Sequence, residues 1–170
     1  KELFQKSYLE HSNLAEATRF LANELFSEYG LVILDGDSAD LKRTLIPYIK
    51  DELENQTSFK EVTTTIEKLN EYSIQVNPRE INLFYIENNL RERIILENGS
   101  YKINHTNLSF SKEALFELVE THPEKFSPNV ILRPLYQEVL LPNLCYIGGG
   151  GEIAYWLELQ SFFNAVKVSF

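Results

Sequence analysis

The sequence lacks methionine altogether and has a single cysteine, Cys145, among its 170 residues. One cysteine cannot form a disulfide within the chain, which is typical of a reducing compartment, so we expect a cytoplasmic protein. Without methionine there is no native start residue, and the last residues, "NAVKVSF", have the apolar alternation of a strand cut short. We therefore expect this chain to be a piece of a longer protein.

Basic residues are few, 16 against 25 acidic ones, which gives a formal net charge of −9. A surface this negative repels the phosphates of nucleic acids and anionic lipid headgroups, so we expect neither as a partner. No apolar run approaches the roughly 20 residues that a membrane-spanning helix needs. The length allows one sizeable hydrophobic core.

Patterns for two common kinds of catalytic site are also missing. The histidines, His11, His105 and His122, do not have the spacing of metal ligands, so we expect no metal site. No serine stands in a G-x-S-x-G motif. A zinc enzyme and a serine hydrolase are therefore poor interpretations.

Apolar residues at helical spacing predict a helix from Ser12 that ends at Gly30. Ser38 can cap a second helix, which Pro47 should kink or split. A capping box at residues 58–61 predicts the start of a third helix. Later helices are predicted over residues 110–120, from Ser127-Pro128 onward, and over residues 151–163.

Two continuous apolar runs, residues 31–34 and 144–147, are typical of strands buried on both faces. Residues 83–87 predict a further strand, and Asn98-Gly99 predicts the two-residue turn of a hairpin. Helices that alternate with strands indicate an α/β fold with a mainly parallel sheet, flanking helices and a β-hairpin insertion. We expect the core in two parts, residues 1–55 and 127–170, with an inserted connecting segment at 56–126.

Four of the seven glycines stand in a row, at Gly148, Gly149, Gly150 and Gly151. A flexible linker would have polar neighbours, whereas both flanks here are apolar, so a strand–turn–helix corner that contacts a ligand is the better hypothesis. Gly149-x-Gly151-x-x-Ala154 also satisfies the loose dinucleotide-loop pattern. The alternative is a purely structural tight turn.

Glu152 follows the glycines at the predicted helix start. Its carboxylate would compete with a bound phosphate for the positive end of the helix dipole, so an amine or a hydroxyl is the better ligand here. The alternative is that Glu152 only stabilises the helix.

Further candidates lie in loops of the predicted sheet. Asp35 and Asp37 follow the first predicted strand, where α/β proteins bind ligands, although an ordinary acidic turn is the alternative. Arg133 precedes a proline, which should prevent a plain helix and leave the guanidinium to bind an anion or to form a buried ion pair. Cys145 stands between apolar residues and is predicted to be inert core.

Two stretches resemble the cysteine-adding enzymes of bacillithiol biosynthesis, the BshC family. They are "NVILRPLYQEVLLPNLCYIGGGGEIAYWLEL" at 129–159 and "YLEHSNLAEATRFLANELFSEYGLVILDGDSADLKR" at 8–43, while residues 56–125 match only loosely. The resemblance implies a Rossmann-like core with inserted segments and a C-terminal coiled coil in a protein about three times as long. This chain would be an internal piece of it.

The resemblance also implies a ligase-type reaction, in which cysteine is joined to the amino group of glucosaminyl-malate, with ATP or ADP and magnesium as the expected cofactor. We expect the parent protein to be a homo-oligomer and its other partners to be these small molecules. The candidate catalytic residues are then Glu152, Asp35 and Asp37. The candidate substrate- or nucleotide-binding residues are Gly148, Gly149, Gly150, Gly151, Arg133, Gln137 and Tyr155. The alternatives are a nucleotide- or sugar-binding module without this chemistry and a non-catalytic scaffold.

Overall fold

The computed structural model describes residues 1–69 and 71–170. They form two compact units, Lys1–Gly36 and Asp37–Phe170, each of which is described by itself. The predicted division at residues 55 and 126 stays a prediction. In the part of the chain that is described, no helix is both long and apolar enough to cross a membrane.

The first unit contains helices α1, Glu2–Leu9, and α2, Leu14–Phe26, followed by a 3₁₀ turn at Ser27–Tyr29. The side chain of Asn13 accepts a hydrogen bond from the backbone N–H of Glu16 and caps α2. Gly30 ends the 3₁₀ turn with φ of 79°, the left-handed conformation that the sequence predicted for it.

The buried strand predicted at residues 31–34 is wrong. These residues are irregular chain, and Leu31, Val32 and Leu34 are 47%, 63% and 40% exposed. An apolar run can become a strand only where a neighbouring strand supplies hydrogen-bond partners. No strand is described within residues 1–36 that could do so.

The second unit contains the other helices of the described chain. They are α3, Ala39–Lys42; α4, Ile46–Asn55; α5, Thr57–Lys68; α6, Lys112–Thr121; α7, Leu132–Leu140; α8, Gly150–Glu158; and α9, Gln160–Ala165. A 3₁₀ turn at Arg43–Leu45 separates α3 from α4, and Pro47 lies in the first turn of α4. The predicted split at this proline is therefore confirmed.

The sheet has the strand order β4-β3-β2-β1-β5. Its strands are β1, Leu83–Glu87; β2, Leu90–Glu97; β3, Ser100–Ile103; β4, Ser109–Phe110; and β5, Phe126–Pro128. All the described pairings are antiparallel, so the prediction of a mainly parallel sheet is wrong. Short turns join β1, β2 and β3 in succession, and such turns permit only antiparallel pairs.

The hairpin predicted around Asn98-Gly99 is confirmed. Leu96 pairs with Tyr101 and Glu97 with Ser100 across the turn. Asn98 and Gly99 have φ of 52° and 77°, as a two-residue hairpin turn requires.

The helix predicted to start at Ser127-Pro128 is wrong in its start. Residues 126–128 form the edge strand β5, which tolerates Pro128 because an edge strand need not donate every N–H. Helix α7 begins at Leu132 and includes Arg133 and Pro134, so the prediction that proline prevents a plain helix there is also wrong. Pro134 lies in the first helical turn, where a missing N–H breaks no hydrogen bond.

The core of the second unit lies between the sheet and its helices, with α5 packed on α9, α6 on β3 and α7 on β5. Its fully buried apolar side chains include Leu45, Ile49, Leu53, Leu83, Ile94, Ile103, Leu115, Phe126, Ile131, Phe162 and Phe163. This core fixes α7 and α8, the two helices that carry most of the candidate site.

Candidate functional site

The glycine run lies directly before and within the first turn of α8. Gly149 is the N-cap residue in an extended conformation, and Gly150 and Gly151 are the first two helical residues. The start of the predicted helix after the glycines is confirmed, but Leu159 divides the predicted range 151–163 between α8 and α9. The predicted strand before them is wrong, because residues 144–147 are irregular chain, with Leu144 107% and Ile147 91% exposed.

Three side chains converge on one oxygen of Glu152, in the first turn of α8. The hydroxyl of Tyr146 donates to Oε1 at 2.7 Å, and Nε1 of Trp156 donates to the same atom at 3.2 Å. The guanidinium of Arg133 lies 3.8 Å from it. The Glu152 side chain nevertheless stays 40% exposed, so its carboxylate can be reached from solution.

These contacts set the charge of the site. The hydrogen bonds from Tyr146 and Trp156 lower the pKa of Glu152, so the carboxylate is anionic at neutral pH. The same hydrogen bond raises the pKa of Tyr146, whose hydroxyl stays protonated. A helix N-terminus adds a further partial positive charge beside Glu152.

Helix α7 carries two of the predicted residues, of which Arg133 lies beside this carboxylate. Arg133 and Gln137 are one turn apart, and Nη1 of Arg133 donates to Oε1 of Gln137 at 3.1 Å. Arg133 is about half exposed. The pair therefore offers a cationic fork and an amide on the solvent side of the site.

Tyr155 is buried, and its hydroxyl donates to the backbone carbonyl of Val130, just before α7. Burial raises the pKa of Tyr155 to about 12, although the nearby Arg133 opposes this effect. The side chain therefore ties α8 to the start of α7 as a neutral phenol. The structure gives Tyr155 a positioning contact within the site.

The glycines differ in the space around them. A Cβ atom on Gly148 would lie 3.1 Å from Cγ of Glu152 and 3.2 Å from Cε1 of Tyr146, whereas one on Gly149, Gly150 or Gly151 would meet no atom within 4 Å. Close approach thus requires a glycine only at position 148. The atoms that approach it are the side chains of Glu152 and Tyr146.

The two aspartates belong to different units. Asp35 lines a cavity of about 470 Å³ in the first unit, together with Thr18 and Arg19. Asp37, in the second unit, forms an ion pair of 2.9 Å with Lys42, which is buried and also donates to the carbonyl of Glu124 at 3.1 Å. Asp37 therefore neutralises a buried cation, while its own side chain stays 79% exposed.

Cys145 is exposed, so the prediction that it is core is wrong. The reason is that residues 144–147 do not form the strand that would have buried it. Cys145 lines a cavity of about 280 Å³ beside the site, to which Tyr146 and Trp156 also contribute.

Sequence reasoning missed Tyr146 and Trp156 as site residues. Trp156 lies four residues after Glu152, a spacing that places the two side chains on one face of a helix, so this contact could have been found. Tyr146 had no such local signal, because the irregular segment brings it back over Glu152. Its ring packs against that of Trp156, with centroids 4.4 Å apart and the ring planes tilted by 35°.

Among residues 1–69 and 71–170 there is no group of three or more His, Cys, Asp or Glu side chains placed to hold a metal ion.

The site on α7 and α8 combines a carboxylate, a guanidinium, an amide and protonated phenols. Such a set suits a small polar molecule that carries both an amine or hydroxyl and an anionic group.

The chain belongs to the family described as "Bacillithiol biosynthesis BshC, N-terminal Rossmann-like domain", whose family model matches residues 1–170. The predicted Rossmann-like class and the predicted family are thereby confirmed. Relatives that carry the name "Putative cysteine ligase BshC" occur in Flavobacterium johnsoniae, 69% identical over 170 residues, and in Flavobacterium psychrophilum, 71% identical over 170 residues. A third, in Christiangramia forsetii, is 55% identical over 172 residues.

Each of these alignments covers 100% of this chain and 32% of the relative. The chain therefore spans about a third of the length of the curated relatives it matches.

Proposed function

We propose that this chain is a domain of a ligase that joins cysteine to the amino group of glucosaminyl-malate in bacillithiol biosynthesis. The observation that carries the proposal is family membership over all 170 residues, together with relatives named as cysteine ligases. The charge pattern around Glu152 supports it, because both substrates carry amine and carboxylate groups.

The reaction forms one C–N bond and breaks one C–O bond. The amine nitrogen of glucosaminyl-malate attacks the carboxyl carbon of cysteine, an oxygen leaves that carbon, and the nitrogen loses a proton to solution. A carboxylate oxygen is a poor leaving group at neutral pH, so the carboxyl must be activated first. ATP with magnesium would supply this activation by transferring a phosphoryl or adenylyl group to it.

Glu152 is proposed to bind the substrate amine. Its lowered pKa makes it a weak base, so positioning the amine is the better role for it than removing a proton. Arg133 is proposed to pair with a malate carboxylate or a phosphate, and Gln137 orients its guanidinium. Asp35, in its cavity in the first unit, is proposed to contact sugar or ribose hydroxyls. The exposed carboxylate of Asp37, in the second unit, is proposed to contact the same kind of group.

A nucleotide phosphate placed directly against Glu152 is disfavoured by like charge. The exposed backbone at residues 149–151 has open space above it and suits an anionic group at a distance from that carboxylate. The glycine run is therefore proposed to bind the anionic part of a substrate or of the nucleotide.

The test uses the full-length parent protein with cysteine and glucosaminyl-malate, with and without ATP and magnesium, and mass spectrometry of the products. A cysteine adduct that requires ATP supports the ligase proposal. Formation of the adduct without ATP would exclude ATP as the source of activation and indicate another activated donor. Binding of either substrate without any adduct would contradict the proposal and leave a binding module.

Three further expectations belong to this proposal. We expect the parent protein to be cytoplasmic, in keeping with the single cysteine, and to be a homo-oligomer. We expect no turnover by the 170-residue chain alone, because it spans only about a third of its relatives. Product formed by the isolated chain would contradict the last expectation.

A further inference from the structure

A buried carboxylate lies at the centre of a polar network in the second unit. Glu52 is 1% exposed, and its Oε1 accepts hydrogen bonds from the hydroxyl of Ser58 at 2.8 Å and from the backbone N–H of Asn82 at 2.8 Å. The Asn82 side-chain amide lies 3.1 Å from the same oxygen, and the Ser58 N–H donates to Oε2 at 3.2 Å. Asn82 is thus held in a fixed orientation within the core.

Asn82 in turn fixes the position of Asn129 through two hydrogen bonds. The backbone N–H of Asn129 donates to the carbonyl of Asn82 at 3.0 Å, and Nδ2 of Asn129 donates to Oδ1 of Asn82 at 2.8 Å. Since Asn82 is fully buried, both contacts are shielded from water. Asn129 is therefore fixed at both its backbone and its side chain.

Asn129 in turn holds the start of α7. Its Oδ1 accepts from the N–H groups of Ile131 at 2.8 Å and Leu132 at 3.3 Å, and its carbonyl accepts from the N–H of Arg133 at 2.9 Å. The next residue, Val130, supplies the carbonyl that binds the Tyr155 hydroxyl. The groups that join α7 to α8 thus depend on the position of Asn129.

We propose that Asn129 is a positioning residue of the Glu152 site. It sets the location of Arg133 directly, and that of Tyr155 through Val130, and it is anchored through Asn82 to the buried Glu52. The expected effect on substrate binding rests on the proposed function, because it takes Arg133 as a substrate-binding group. The role of Asn129 in setting the positions of Arg133 and Tyr155 does not rest on it.

The test uses Asn129→Asp and Asn129→Ala in the full-length parent. Aspartate keeps the oxygen that caps α7 and loses the Nδ2 donor to Asn82, whereas alanine loses both. The matched control is Ser111→Ala, because Oγ of Ser111 caps α6 by accepting from the N–H of Ala114 at 3.2 Å, far along the chain from Arg133. All three variants remove helix-capping or anchoring contacts, but only the first two act on α7.

Both Asn129 variants are expected to raise the KM for glucosaminyl-malate by about tenfold or more, with a smaller change in kcat, since small displacements of binding groups weaken substrate binding strongly. Ser111→Ala should lower the thermal midpoint yet leave KM within about twofold. An unchanged KM in Asn129→Asp alone would overturn the anchoring through Asn82. An unchanged KM in both Asn129 variants would overturn the whole proposal. So would an equal rise in Ser111→Ala.

A second measurement does not need catalysis. In the parent labelled with 5-fluorotryptophan, the ¹⁹F resonance of Trp156, assigned by its loss in Trp156→Phe, reports the contact between Trp156 and Glu152. It should shift in both Asn129 variants and not in Ser111→Ala. If the parent makes no adduct, the proposed function fails, and this resonance still decides the positioning role. An unshifted resonance would overturn it.

Discussion

Glu52 and Glu152 both accept several hydrogen bonds, yet they have opposite electrostatics. Glu52 is 1% exposed, and burial raises its pKa despite the donors around it. Glu152 is 40% exposed, and its donors lower its pKa. Burial, rather than the number of hydrogen bonds, therefore separates a carboxylate that holds the interior together from one that can meet a ligand.

Substitution of the buried carboxylate, Glu52, should have the largest effect. Glu52→Ala leaves the N–H of Asn82 and the N–H and hydroxyl of Ser58 buried without their acceptor. We expect the free energy of unfolding to fall by about 3 kcal/mol or more, because each unsatisfied buried group has a large desolvation cost. Chemical denaturation of the variant measures this loss.

The matched control for Glu52→Ala is Glu54→Ala on the same helix. Glu54 is about half exposed and pairs with Lys112 at the surface, so its loss should change the free energy of unfolding by only a small fraction of that amount. Equal effects of the two substitutions would contradict the structural role of the Glu52 network.

Substitution of the exposed carboxylate, Glu152, should lower activity rather than stability. Glu152→Gln keeps an oxygen that can accept from Tyr146 and Trp156 but removes the negative charge. Under the proposed function, we expect kcat/KM of the parent protein for glucosaminyl-malate to fall by about a hundredfold, since charged hydrogen bonds to a ligand are much stronger than neutral ones. Steady-state kinetics with detection of the adduct measure the change.

The thermal midpoint of Glu152→Gln should stay close to that of the unsubstituted enzyme. A large loss of stability without a change in kcat/KM would reverse the assignment and make Glu152 a structural residue. Tyr146→Phe is a useful companion, because it removes one donor to Glu152 and keeps the charge.

The difference between local and distant contacts explains which features could be predicted from the sequence. The Asn98-Gly99 turn, the split at Pro47 and the helix after the glycines depend on neighbouring residues, and each was found. The position of Glu152 at a helix start was predicted for the same reason, because it is a local property, whereas its role in the site stays a prediction.

The errors concern features that depend on distant parts of the chain. Residues 31–34 and 144–147 have strand composition, but pairing needs a partner strand that composition does not reveal. The predicted capping box at Ser58 is wrong for a related reason. Ser58 lies inside α5 and its hydroxyl donates to Glu52 on α4, a contact that only the folded arrangement creates. Tyr146 reaches Glu152 in the same way.

The smallest expected effect is the pH dependence of stability, in which the two carboxylates should act with opposite sign. The folded-state pKa of Glu52 lies above the ordinary value of 4.5, so its contribution is fully present below that value and is lost as the pH rises through the raised pKa. The folded-state pKa of Glu152 lies below 4.5, so its contribution is present above that value and is lost as the pH falls. Thermal midpoints of Glu52→Gln and Glu152→Gln, each compared with the unsubstituted protein from pH 3 to 8, separate the two. The difference in thermal midpoint between Glu52→Gln and the unsubstituted protein should change mainly above pH 4.5, and the corresponding difference for Glu152→Gln mainly below it. If both differences change on the same side of pH 4.5, burial does not set the two carboxylates apart.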